Sequence, residues 1–89
     1  MEPIPDEWVD RLFGLMGEFY GSRWDSGFKD EYKRSLFKTI WKNGLHGLQY
    51  EQIKQTLKYY RREAKRQSSL PPLVTEFYHR ASDVPPSAR

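Results

Sequence analysis

YEQIKQTLKYYRREAKRQ, residues 50–67, is the longest uninterrupted helical pattern in the chain. On a wheel of about 100° per residue, Ile53, Leu57, Tyr60 and Ala64 fall on one strip. Lys54, Lys58, Arg61 and Lys65 line up beside them, about 80–140° from Ile53, and Arg62 and Arg66 occupy the next strip. One edge of this helix seeks a core while its neighbour presents positive charge. Residues 51–67 hold six Lys/Arg against two Glu, a net of +4, whereas the whole 89-residue chain is only +3. Positive charge is therefore concentrated here.

The opening of the chain has the opposite sign. Residues 1–20 hold Glu2, Asp6, Glu7, Asp10 and Glu18 against Arg11 alone, a net of −4. Two readings of this polarity stand open. The opening helix can neutralise the basic one, or the two can form a polarised surface for a partner.

Composition narrows the class. Eighty-nine residues make one domain with a modest core. Three Trp, five Phe and six Tyr are far more aromatic content than disordered chains carry, so a folded domain is expected. There is no cysteine, which excludes disulfides and thiolate metal sites and suits a reducing cytosol. No apolar run approaches the ~20 residues of a membrane span, and the acidic N-terminus lacks a signal core. The expected location is cytoplasmic.

The pattern predicts an all-α fold, a small bundle of three main helices plus a short C-terminal helix. Residues 1–5 read as an extended lead-in because of Pro3 and Pro5. Residues 6–81 read as one helical domain and residues 82–89 as a disordered tail. Asp6 is the expected N-cap of a first helix whose apolar face carries Trp8, Val9, Leu12, Phe13, Met16, Phe19 and Tyr20. Gly21 is the expected stop. Residues 22–29, SRWDSGFK, read as a loop. Trp24 and Phe28 within it either fold back on the core or stand exposed as a protein-docking pair.

A second helix is expected over residues 30–43, with Tyr32, Leu36, Phe37, Ile40 and Trp41 as its apolar stripe and Gly44 as a left-handed cap. The basic helix follows a connector that holds His46, read as a solvated loop histidine. After the break at Pro71-Pro72, a last helix is expected from Pro72 to Ala81. The expected core is Trp8, Leu12, Phe13, Met16, Phe19, Leu36, Ile40, Ile53, Leu57 and Phe77.

No catalytic constellation stands out. His46 and His79 lack metal-ligand spacing, no phosphate-binding GxxxxGK[ST] loop is present, and the serines have no base at a diagnostic spacing. The chain is expected to be non-enzymatic and to need no cofactor. The distinctive feature is KYYRREAKR, residues 58–66. Lys54, Lys58, Arg61, Arg62, Lys65 and Arg66 suit phosphate contacts, and Tyr59, lying off the apolar stripe, suits stacking on an unpaired base. The plainer reading is a solvated helix whose tyrosines pack at the core margin.

Several residues in order add a resemblance. They are Leu12-Phe13 and Leu15, Lys33-Arg34, Asn43-Gly44-Leu45, Glu51-Gln52-Ile53, Arg61-Arg62, Leu70-Pro71 and Phe77. Together, over residues 8–80, they resemble the replication protein P family of lambdoid phages, loaders of the DnaB-type replicative helicase. Leu36 stands where that family has a Trp, and the connector before the basic helix is about two residues longer. The chain is also similar to the single-stranded-DNA-binding region of the primosomal protein DnaT. The resemblance implies a bacterial or phage-encoded replication module whose partners are single-stranded DNA, a DnaB-type helicase, or both. The alternative is a protein-binding adaptor that touches no nucleic acid.

Overall fold

Pro5 occupies the N-cap of the first helix with extended geometry, φ −61° and ψ 148°, and its carbonyl accepts the first helical bonds. In this computed structural model, which describes residues 2–86, that helix is α1, Asp6–Tyr20. Asp6 is thus the first helical residue rather than the cap. With Glu7 it places negative charge at the positive end of the helix dipole. The lead-in is extended but not idle. Ile4 is buried, and its N–H reaches the Lys42 carbonyl at 3.4 Å.

Val9, Leu12, Phe13, Met16 and Tyr20 form the buried face of α1, with Trp8 and Phe19 half-covered at its margin. Gly21 ends the helix at φ +60°, a left-handed conformation that glycine adopts without strain, and its N–H bonds to Gly17 O at 2.8 Å. The chain then makes one more helical turn, α2, Ser22–Asp25, where the composition suggested only a loop. That turn has a purpose in packing, because it carries Trp24 into the centre. Trp24 lies edge-on to Phe13 at 5.1 Å and to Trp41 at 5.8 Å, and Phe28 packs on both Phe13 and Trp24. The docking reading of Trp24 is therefore overturned. Its indole is buried in the aromatic core, and Phe28 is half-buried against it.

Helix α3, Glu31–Gly44, starts at Asp30, whose carboxylate accepts the Tyr32 N–H at 2.8 Å. Of its apolar stripe only Trp41 is buried. Leu36 and Ile40, expected in the core, are exposed. The stripe is wider than the surface that α1 and α5 offer it, so its outer half stays uncovered. Gly44 is the last helical residue and not a left-handed cap; Leu45 follows at φ −100°. Its lack of a side chain serves an interhelical approach instead, since a Cβ there would lie 2.7 Å from Val74 Cγ2.

Leu45 and Leu48 bury the connector. In it His46 bonds through Nδ1 to Asn43 O at 2.8 Å and stacks on Tyr78 at 5.8 Å, more anchored than a solvated loop histidine. Helix α4, Tyr50–Glu63, begins with the Gln49 N–H donating to Gln52 Oε1 at 2.9 Å. The buried Gln52 also donates to Val84 O at 2.9 Å, which ties residues beyond the last helix to the bundle. Ser82 is helical as well, so the tail expected from residue 82 is ordered in its first part; residues 87–89 of that segment lie outside the described residues.

The last helix, α5, is Val74–Ser82, and it starts two residues later than Pro72. Pro72 is instead buried in a strap that stays extended through Leu73, φ −77° and ψ 160°. Phe77 and Ala81 close the core, with Phe77 against Trp41 at 5.5 Å and stacked on Tyr60 at 5.6 Å. The described residues are all-helical or irregular, an all-α bundle of extents 38 × 29 × 18 Å, about two helix layers thick. No helix among them is long and apolar enough to cross a membrane.

Candidate nucleic-acid interface

Helix α1 sits between α3 and α4, and its two flanks differ. Toward α3, Asp10 pairs with Lys38 Nζ at 3.0 Å and Asp6 with Lys42 Nζ at 2.8 Å. Toward α4 there is no such closure. Leu12 and Ile53 are buried where the two helices face each other, and the space above them stays open. The result is an open groove of about 570 Å³ lined by Trp8, Arg11, Leu12, Leu15, Glu18 and Phe19 from α1 and by Tyr50, Ile53, Lys54, Leu57, Lys58, Arg61 and Lys65 from α4 and its exit.

The floor is apolar because Leu12, Leu15, Phe19, Ile53 and Leu57 recur at helical spacing on the two facing helices. One end is walled by an aromatic pair, Trp8 and Tyr50, edge to face at 5.3 Å and 63°. The rim is cationic. Lys54, Lys58, Arg61 and Lys65 are exposed along α4, Arg11 faces them from α1, and Glu18 is the single carboxylate in the lining. Among the described residues none of these five cations makes an ion pair. Two of the four carboxylates of α1, Asp6 and Asp10, pair with α3, and among the described residues none forms an ion pair with the basic helix. Like charges set along a groove with apolar walls concentrate the field there.

The seven residues that the sequence nominated separate into two groups. Lys54, Lys58, Arg61 and Lys65 come together on the groove. Arg62 is exposed but lies off it, and Arg66 pairs with Glu63 at 3.5 Å. Tyr59 lies off the groove, and one face of its ring is already covered. The Arg80 guanidinium sits 3.8 Å from its ring centroid, and Tyr60 abuts it at 5.0 Å. This is the α5 side of α4. There the Tyr60 hydroxyl donates to Glu76 Oε2 at 2.7 Å and accepts from Arg80 Nε at 3.3 Å. Burial, then the Glu76 carboxylate, holds the Tyr60 phenol well above its ordinary range.

Sequence reasoning missed Arg11 and Tyr50 and placed Trp8 in the core. A usable signal was present: Trp8, Arg11, Leu15 and Glu18 follow at steps of three or four, with Phe19 one turn after Leu15, a mixed face on an otherwise acidic helix.

The exit of α4, where Lys65 sits, is fixed by Arg23 of α2. Its guanidinium donates to the carbonyls of Ala64 at 2.8 Å, Arg66 at 3.0 Å and Ser69 at 2.8 Å, and it also lies over the Tyr20 ring at 5.1 Å. A cation there satisfies carbonyls left without helical partners and complements the negative helix end.

No protein-family model, curated protein or solved structure matches the chain.

Proposed function

We propose that this chain is a non-enzymatic binding module of DNA replication that takes a single nucleic-acid strand along the α1–α4 groove. The observation that carries the reading is the union of an aromatic-walled apolar floor with a row of unpaired cations in one groove. A duplex shows phosphates on its outside and hides the faces of its bases. A single strand offers both, so phosphates meet the rim while bases lie on the floor against Trp8, Phe19 and Tyr50. The replication context, the bacterial or phage origin and a DnaB-type helicase as second partner rest on the resemblance to the phage P family.

The test is fluorescence anisotropy of a labelled single-stranded oligonucleotide against a salt series. Five phosphate contacts give a slope of log K on log salt of about −3.5 for a single strand. The triple change Lys58→Glu, Arg61→Glu, Lys65→Glu is expected to abolish binding while the far-UV circular dichroism stays helical. Equal retention of the oligonucleotide by parent and triple variant defeats the nucleic-acid reading. A salt-insensitive affinity for a protein partner then leaves the adaptor.

A further inference from the structure

A second uncovered apolar surface lies away from the groove and shares no lining residue with it. It consists of the outer half of α3 and the strap before α5. Tyr32 is 74% exposed, Leu36 48%, Phe37 39%, Ile40 43%, Leu70 76% and Leu73 74%. Phe37, Ile40, Leu70 and Leu73 surround a shallow hollow of about 560 Å³ that reaches down to Trp41. We propose that this face is a dimer interface, occupied by the same face of a second copy of the chain.

Three features favour a second copy over another occupant. The first is area. These six residues, backbone and the Tyr32 hydroxyl included, expose on the order of 700 Å² per copy, close to the ~800 Å² that each partner contributes to a stable interface. The second is shape. Leu70 and Leu73 project beside a hollow on the same patch, so a two-fold axis through it sets the projections of each copy into the hollow of the other. The third is charge. The exposed charges at the start of the α3 face are Lys29, Asp30, Glu31 and Lys33, which balance. Two such faces meet without the repulsion that would separate two copies of the cationic groove, and a neutral face gives an acidic or basic partner nothing to select. Of the other cations of α3, Lys38 and Lys42 already pair with α1, and Arg34 lies 3.9 Å from Asp25 of α2.

The proposal does not depend on the nucleic-acid reading, and its test uses no nucleic acid. Sedimentation equilibrium of the full chain, from micromolar to about 0.5 mM, is expected to show the mass rising to twice that of the monomer. Leu36→Glu with Ile40→Glu, and separately Leu70→Asp, should each weaken self-association at least about tenfold, since each sets a charge in the centre of the face. Both act at exposed positions, and Leu70 lies outside every helix, so Leu70→Asp decides the matter if the α3 variant melts early. A parent chain that stays monomeric throughout overturns the proposal, including the case where the face receives a different protein. A dimer untouched by either variant overturns it as well.

Discussion

The two flanks of α1 treat charge in opposite ways. On the α3 flank every cation that faces an aspartate is matched, Lys38 with Asp10 and Lys42 with Asp6. On the α4 flank Arg11 looks across at Lys54, Lys58, Arg61 and Lys65 with Glu18 as the one acid among them. Both flanks belong to the same helix, so composition does not explain the difference. Spacing does. Asp6 and Asp10 lie four residues apart, one turn, as do Lys38 and Lys42, and two rows of equal pitch zip together. The basic helix finds no acidic row of matching pitch opposite it. Pairing across the first flank holds two helices in place, while the unmatched second flank leaves a charged groove open to an anionic ligand.

The comparison breaks most visibly if the flanks are exchanged in an experiment. Reversing Lys58, Arg61 and Lys65 has the largest expected effect, loss of oligonucleotide binding with little loss of helix, because all three are exposed and unpaired. Next is Arg23→Ala. It takes the Arg23 donor from the carbonyls of Ala64, Arg66 and Ser69, just beyond α4, and is expected to destabilise the fold by about 2 kcal/mol, the range for hydrogen bonds to a charged group. In a domain of this size that lowers the melting temperature by roughly 10 °C in differential scanning calorimetry. Arg23→Lys should recover only part of it, because a point-like ammonium cannot span carbonyls on Ala64, Arg66 and Ser69 together.

A smaller effect separates the two tyrosines of α4. Tyr50 stands at the groove end beside Trp8, and Tyr59 lies under Arg80. Tyr50→Ala is expected to cost about 1–3 kcal/mol of binding, one base stack, with the salt slope unchanged. Tyr59→Ala should leave oligonucleotide affinity as it was and show its cost in thermal stability. The opposite ranking in an anisotropy titration moves the binding face to the α5 side of α4 and removes the groove from the mechanism.

The four longer helices were legible in the sequence because apolar periodicity locates them, whereas the single turn of α2 read as loop; the row at Lys54, Lys58, Arg61 and Lys65 was legible from the same periodicity. What periodicity does not carry is which neighbour covers a stripe. Leu36 and Ile40 satisfy the helical pattern as well as Trp41 does, yet only Trp41 meets Phe13, Trp24 and Phe77. The Asn43-Gly44 pair reads locally as a left-handed stop. Its meaning is tertiary, because Val74, thirty residues on, occupies the space a side chain at Gly44 would need. Tyr59 failed in the same way: its position on the wheel said it was off the core, and nothing local said that Arg80 would lie on its ring. The groove needed two helices to be seen, so each sequence stretch alone gave only one wall.

The smallest expected effect is the most discriminating. Lys38→Gln with Lys42→Gln removes both ion pairs of the α3 flank. These pairs are short, 3.0 and 2.8 Å, but Asp10 and Asp6 remain largely exposed, with 63% and 78% of their side chains in solvent. Water and salt screen such pairs, so each contributes about 0–1 kcal/mol and the double change should lower the melting temperature by only a few degrees. It removes two positive charges. If binding followed net charge alone, oligonucleotide affinity would fall and the salt slope would flatten, much as for a pair of rim substitutions. If binding belongs to the groove, affinity and slope stay at the parent values, because neither lysine lines it and both already face a carboxylate. The same two-charge change on the rim, Lys58→Gln with Lys65→Gln, is expected to reduce the slope by about 1.4. Equal responses from the two pairs would show that the fold's basic surplus, and not the unmatched flank of α1, attracts the strand.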